Sequence, residues 1–286
     1  MPIHRKRAPD NNGPQGMLLV AHGTRRRGGL AEVRQIAALV RDRLPGVPVA
    51  LSFLELARPT PAEGLARLAA LGVGEVVVTP LLLFRAGHAK RDIPTAAREA
   101  AAKLGVGLHY ADPLELHPCV LRLSRERFRQ AVASRQRRRR GGTALVLVGR
   151  GSSDSQAVDA MRRFARARAS QAPGVHVLHG FLARARPTLE DVLARAGAMP
   201  VKCVVVQPHL LFRGELTQSV ERAVRAAARK WPEKEWLVAP HLGVSPLVAR
   251  AIADRFADAA RRARPSQRGR GVHRTVKRPN RAAARR

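Results

Sequence analysis

The sequence repeats itself at a fixed offset, and this constrains its fold more than any other feature. Three separate blocks recur 128 residues further along the chain. Several blocks that share one offset indicate a tandem duplication of a structural unit. The paired blocks are Val20–Thr24 with Val148–Ser152, Phe53–Thr60 with Phe181–Thr188, and Pro80–Arg85 with Pro208–Arg213.

The duplication predicts how the chain divides into units. A length of 286 residues accommodates two domains of about 100–150 residues each. We expect a first unit at 17–133 and a second at 143–263, joined by a basic linker at 134–142. Residues 1–16 and 264–286 are basic segments that we expect to be disordered.

Strand-like and helix-like patterns alternate within each unit. Short apolar runs such as Met17–Ala21 and Val49–Leu54 are typical of strands that are buried on both faces. Segments of helical spacing separate them, and proline or glycine marks their ends. We therefore predict an α/β protein with two tandem doubly wound, flavodoxin-like units, each containing a parallel four-stranded sheet.

The charge of the chain predicts a polyanionic partner. The formal net charge is +32, and residues 261–286 contain eleven Arg or Lys and no acidic residue. No apolar run approaches the length of a membrane span, so no membrane association is expected. The N-terminus lacks an apolar signal-peptide region, and the two cysteines fit a reducing compartment, which together predict a cytoplasmic protein.

Two histidines and a glutamate follow three different strands of the first unit. His22 follows strand one, Glu55 ends strand two, and His88 lies in the loop after strand three. Because the carboxyl ends of parallel strands form one edge of the sheet, these side chains are candidates for a shared site. Imidazole and carboxylate ligands suit iron, cobalt, nickel or zinc as divalent ions.

The second unit copies the scaffold without this trio. Arg150 stands in place of His22, Ala183 in place of Glu55, and Glu215 or Leu216 in place of His88. One metal site in the first unit is therefore expected. Arginines near the strand ends are candidates for binding a multiply carboxylated ligand through their guanidinium groups. These substrate-binding candidates are Arg25, Arg85, Arg150, Arg184 and Arg213.

The chain resembles the sirohydrochlorin chelatases, the class II metal chelatases of siroheme and cobalamin biosynthesis, in their two-unit form. The resemblance implies a lyase-class ferrochelatase or cobaltochelatase in which His22 and His88 bind the metal and accept protons, with Glu55 assisting. It also implies sirohydrochlorin as substrate and no tightly bound cofactor. The ligand types allow Fe²⁺, Co²⁺ or Ni²⁺ as the second substrate. The motifs that carry it are Val20–Thr24, Phe53–Glu55 with Pro59-Thr60, Pro80–His88 with Asp92–Pro94, and Asp112–Leu114 with His117-Pro118.

Other classes of protein fit parts of the same pattern. The same trio without turnover would serve a metal-delivery or sensor protein. The basic linker and tail allow nucleic-acid binding, but aromatic residues are only 3% of the chain, so a stacking platform on the folded units is not expected. Nucleotide binding is disfavoured, because Gly149–Asp154 lacks the third glycine of the dinucleotide fingerprint and no P-loop lysine follows a glycine-rich turn.

Overall fold

The computed structural model describes residues 15–84, 88–133 and 141–263, without the side chains of 88–94 and 96. The basic tail predicted from the sequence, most of the basic linker and most of the N-terminal segment lie outside these residues. The first strand begins at Gln15, two residues before the predicted strand.

The first half alternates strands and helices. Its elements are β1 (Gln15–Ala21), α1 (Arg27–Arg43), β2 (Val49–Phe53), α2 (Pro61–Ala70), β3 (Glu75–Pro80), α3 (His88–Leu104), β4 (Gly107–Tyr110) and α4 (Pro118–Ala133).

The second half repeats this order, element for element. Its elements are β5 (Thr143–Gly149), α5 (Ser155–Ser170), β6 (Val175–Phe181), α6 (Leu189–Ala198), β7 (Cys203–Pro208), α7 (Glu215–Lys230), β8 (Glu235–Val238) and α8 (Pro246–Ala263). None of the helices in these ranges has the length and apolar character that crossing a membrane requires.

Each half contains a parallel four-stranded sheet, as predicted. The strand orders are β2-β1-β3-β4 and β6-β5-β7-β8, so the first strand of each half lies inside its sheet. The chain reverses its direction of travel across the sheet between the first and third strands. This topological switch point is where doubly wound sheets bind ligands, outside the carboxyl ends of the strands.

The apolar strands are buried on both faces because their alternate side chains enter different cores. Met17 and Leu19 of β1 pack into a large cluster that includes residues of both halves. Leu18 and Val20 point the other way and pack with residues of α2 and α3. This two-sided burial explains why the strands read as continuous apolar runs.

The two halves exchange their last helices. α4 belongs to the first half but packs on α5, β7 and β8 of the second. α8 belongs to the second half but packs on α1, β3 and β4 of the first, and the two exchanged helices also contact each other. Each sheet therefore receives part of its apolar cover from the other half, and one core cluster runs through both.

Two equivalent arginines form hydrogen bonds between each exchanged helix and the other half. Arg127 of α4 donates from Nε and a terminal nitrogen to the Leu242 carbonyl, at 3.1 and 2.6 Å. Arg255 of α8 donates to the Leu114 carbonyl at 3.3 Å. The two arginines are 128 residues apart, as are the two leucines, so the duplication preserves this contact in both directions.

A buried polar network adds a contact on the second sheet alone. Arg168 of α5 is 1% exposed, and its Nε donates to Ser124 Oγ of α4 at 3.0 Å. Gln207 of β7 donates to the same hydroxyl at 3.1 Å. Burial lowers the pKa of Arg168 to about 10, which still leaves the guanidinium charged at neutral pH.

His209, directly after β7, is buried between aromatic rings. Its ring centroid lies 4.1 Å from that of Phe164 and 5.4 Å from that of Phe84, which comes from the first half. Among the described residues, neither ring nitrogen has a hydrogen-bond partner. Burial lowers the pKa of His209 to about 3, so the ring is neutral in the folded protein.

We predict that His209 makes the protein sensitive to acid. Its folded pKa lies below the unfolded value of 6.5, so between those values the unfolded chain binds a proton that the folded chain excludes. Stability should therefore fall as the pH drops through this window, by up to about 1.4 kcal/mol per pH unit from this group. His209→Leu, which installs the residue found at Leu81 in the first half, should remove that contribution.

Urea unfolding from about pH 7.5 down to about pH 4.5 measures this dependence. The matched control is His176→Leu, because His176 is exposed on β6. The control should keep the wild-type slope of unfolding free energy against pH. An unchanged slope in His209→Leu would contradict the prediction.

Candidate metal and substrate site

His22 and Glu55 meet at the carboxyl ends of two adjacent strands. His22 directly follows β1 and Glu55 lies two residues beyond β2. His22 Nε2 and Glu55 Oε1 are 3.1 Å apart, and the two side chains are 40% and 53% exposed. The pair therefore combines one imidazole and one carboxylate at a position open to solvent.

The backbone brings this pair together through a contact that only glycine allows. Gly23 has φ +100, and a Cβ built on it would lie 1.8 Å from the Glu55 carbonyl oxygen. Ladder-like hydrogen bonds continue past the strand ends, from Leu54 N–H to Ala21 O and from Glu55 N–H to His22 O, at 3.0 and 3.1 Å. The close approach sets His22 and Glu55 side by side.

A helix cap holds the other end of the Glu55 loop. Thr60 and Glu63 form a reciprocal capping box at the start of α2, with Glu63 accepting from the Thr60 N–H at 2.7 Å. This hydrogen bond is the main reason that the pKa of Glu63 lies below its usual value. Thr188 and Asp191 repeat the box at α6, with the same effect on the pKa of Asp191.

His88 begins α3, the helix that follows β3. The sequence placed it in a loop, whereas the structure makes it the first residue of a helix. Its backbone therefore follows the strand that neighbours β1 on the side away from β2. The His88 side chain and the whole of Arg85 lie outside the described part of the chain.

The second half repeats the backbone of the site with different side chains. Gly151 has φ +86, and a Cβ there would lie 1.7 Å from the Ala183 carbonyl oxygen. Ala183 N–H donates to Arg150 O at 3.0 Å, which matches the bond between Glu55 and His22. Arg150 and Ala183 thus stand in the positions of His22 and Glu55.

Four of the five candidate substrate-binding arginines lie in the described part of the chain, and all four are exposed near strand ends. Arg25 lies between β1 and α1, Arg150 directly follows β5, and Arg213 precedes α7. Arg184 has φ +56, and the equivalent residue Leu56 has φ +62 and is 50% exposed. The carboxyl edges therefore present cations in both halves and one exposed apolar side chain beside Glu55.

Polar contacts join the two carboxyl edges to each other. Glu32 of α1 accepts from the Arg213 N–H at 2.7 Å, and its other oxygen lies 3.1 Å from His241 Nε2. A terminal nitrogen of Arg26 lies 3.5 Å from Glu215 Oε2.

The contact between Glu32 and His241 was not predicted from the sequence. Glu32 is an ordinary helix residue, and His241 follows an edge strand. No local motif signals their meeting.

The CbiX family model matches the chain twice, at residues 16–131 and 144–259. The chain is 27% identical over 242 residues to a sirohydrochlorin cobaltochelatase of Priestia megaterium, covering 84% of this chain and 78% of the relative. It is 28% identical over 251 residues to a sirohydrochlorin ferrochelatase of Bacillus subtilis, covering 86% and 92% respectively.

A solved structure has the same architecture. SirB from Bacillus subtilis with Fe³⁺ superimposes with a TM-score of 0.78 at 26% sequence identity, covering 86% of this chain and 96% of SirB. The double family match, the paired sheets and the similarity along most of each chain agree with one another. The chain belongs to the CbiX family of chelatases, in its two-unit form.

Proposed function

We propose that this protein inserts a divalent metal, Fe²⁺ or Co²⁺, into sirohydrochlorin in siroheme or cobalamin biosynthesis. The observation that carries the proposal is the His22–Glu55 pair, exposed at the carboxyl ends of β1 and β2, beside the switch point, and absent from the equivalent place in the second sheet. The names of the two relatives support both metals. Ni²⁺ remains a prediction from ligand chemistry alone.

The spacing of the pair suits a single metal ion. Two ligands on one ion with bonds of about 2.0–2.2 Å lie roughly 2.8–3.6 Å apart, from octahedral to tetrahedral angles. His22 Nε2 and Glu55 Oε1 are 3.1 Å apart, so an ion can replace their hydrogen bond with little movement. His88, the first residue of α3, is the proposed third ligand.

Insertion requires that two pyrrole protons leave the macrocycle as the metal enters. A neutral imidazole is well suited to accept a proton near neutral pH. His22 and His88 are the proposed acceptors, and Glu55 would pass protons to solvent, to which its side chain is open. An exposed site with few ligands also favours release of the metal to the ring.

The surrounding residues suit a large polycarboxylate. Arg25, Arg150, Arg184 and Arg213 are exposed at the carboxyl edges and would pair with substrate carboxylates. Arg85 is proposed for the same role from the sequence. Leu56, exposed beside Glu55, would contact the apolar face of the ring. A reducing compartment such as the cytoplasm is proposed from the sequence, because two cysteines in 286 residues do not form a disulfide framework.

We expect His22→Ala to lower the rate of metal insertion at least about 100-fold, because it removes a ligand and a proton acceptor together. Glu55→Gln should lower it roughly 10-fold or more by weakening metal binding. The measurement is the absorbance change of sirohydrochlorin with Fe²⁺ or Co²⁺. His109→Ala is the matched control, because His109 Nε2 lies 2.8 Å from Glu75 Oε2 in the same sheet, away from the carboxyl edge.

The same assay separates the enzyme from a metal carrier. A carrier would bind Co²⁺ through His22 and Glu55 without changing the sirohydrochlorin spectrum at a catalytic rate. Full activity in His22→Ala, with the control also active, would remove His22 from the mechanism.

We predict that Gly23→Ala impairs metal binding and that Gly151→Ala does not. Both substitutions push a Cβ against a carbonyl oxygen and force a positive φ on alanine, so both should destabilise the fold. Only Gly23→Ala displaces Glu55 from His22. Isothermal titration with Co²⁺ on the folded variants, compared with urea unfolding, measures the two effects separately. Equal losses of Co²⁺ affinity would contradict this assignment.

A further inference from the structure

Three side chains with metal-binding atoms meet where the exchanged helices cross. His117 directly precedes α4, Cys119 is its second residue, and Asp254 lies on α8. One ligand atom from each residue lies within 4.8 Å of those of the other two. The group draws two members from the first half and one from the second, and it shares no residue with the proposed chelatase site.

The two ring nitrogens of His117 face different groups. Its Nδ1 accepts from the Cys119 backbone N–H at 3.2 Å, which leaves Nε2 as the nitrogen that faces Asp254. Nε2 lies 3.5 Å from Asp254 Oδ2. The His117 side chain is 10% exposed and that of Asp254 is 48% exposed, so the cluster is buried on one side and open on the other.

The second half shows which part of this arrangement is structural. Ser245, equivalent to His117, accepts from the Leu247 N–H at 3.2 Å and so caps α8 in the same way. Helix capping therefore explains an acceptor at position 117. The acid also recurs, because Glu126, equivalent to Asp254, lies 2.9 Å from Arg122 as Asp254 lies 3.7 Å from Arg250. Only Cys119 lacks a chemical counterpart, since Leu247 occupies its position. The thiol is specific to the first-half cluster.

We propose that His117, Cys119 and Asp254 form a second divalent-metal site, distinct from the chelatase site and suited to Zn²⁺ or Co²⁺. Imidazole, thiolate and carboxylate are the ligands these ions take in proteins, and three of them leave a position for water. The ligands of a tetrahedral ion lie roughly 3.3–3.8 Å apart, given bonds of about 2.0–2.3 Å. The 3.5 Å between His117 Nε2 and Asp254 Oδ2 already falls in that range, and all three ligand atoms lie within 4.8 Å of one another.

Binding exchanges existing contacts for metal bonds. Asp254 Oδ2 lies 3.7 Å from Arg250 Nε as well as near His117, and the ion would take the place of both partners. The Cys119 thiol loses its proton to solvent when the sulfur coordinates the ion. His117 coordinates through Nε2 once its proton has moved from Nε2 to Nδ1, and the Cys119 N–H then gives up its hydrogen bond to Nδ1. Because the ligands come from α4 and α8, the bound ion would tie the two exchanged helices together and stabilise the folded protein.

Cobalt titration of the full-length protein tests this site. A thiolate on Co²⁺ gives an intense charge-transfer absorption in the near ultraviolet, whereas the proposed chelatase ligands contain no sulfur. We expect this band in the wild type and in His22→Ala. It should be absent in Cys119→Ser, and Asp254→Asn should weaken Co²⁺ binding at this site at least about 10-fold. Cys203→Ser is the matched control and should keep the band.

Thermal unfolding with and without Zn²⁺ provides a second readout. In the His22→Ala background, which removes a ligand of the chelatase site, the metal should raise the Tm with or without Cys203→Ser, and adding Cys119→Ser should abolish that rise. Circular dichroism establishes that each variant is folded. Absence of the band in the folded wild type, or its persistence in Cys119→Ser, would overturn the proposal. Loss of insertion activity in His22→Ala with the cobalt–thiolate band retained would show that the two sites are separate.

Discussion

The exchange of α4 and α8 is the contact on which the rest of the structure depends. Each four-stranded sheet has one face covered by helices of its own half and another face covered partly by the last helix of the other half. The largest apolar cluster therefore runs through both halves without a break. The equivalent hydrogen bonds of Arg127 and Arg255 show that the exchange is reciprocal. The carboxyl edges of the two sheets also adjoin, where Glu32 contacts Arg213 and His241.

Duplication preserved the backbone of the site more strictly than its chemistry. Gly23 and Gly151 make the same contact with a carbonyl oxygen in the neighbouring loop, and the Thr60 and Thr188 caps hold the far ends of those loops. On these two equivalent frames, one half presents His22 and Glu55 while the other presents Arg150 and Ala183. The first pair suits a cation and the second suits an anion. This is expected of a site that brings a metal ion together with a polycarboxylate.

Much of the fold follows from the sequence, because a buried parallel strand leaves a clear apolar signal and the duplication presents each signal twice. The proximity of His22 and Glu55 also follows, since it needs only the rule that strand ends share an edge. The helix exchange could not be predicted, because α4 has the same amphipathic pattern whichever sheet it covers. Glu32 and His241 were missed for a similar reason, since 209 residues separate them and neither belongs to a motif. The isolation of His209 from polar partners likewise depends on Phe84 and Phe164, which lie far from it in sequence.

The reciprocal exchange has a consequence for how a protein of this kind arises. A single half on its own would leave part of one sheet face uncovered, and two identical copies would restore the cover by trading their last helices about a two-fold axis. Covalent fusion of such a homodimer makes the pairing independent of concentration. After fusion the sequence encodes each half separately, so residues at symmetry-related positions can diverge. A homodimer of one gene product has the same residue at both equivalent positions. It is therefore unable to combine His22 with Arg150, or Cys119 with Leu247, as this chain does.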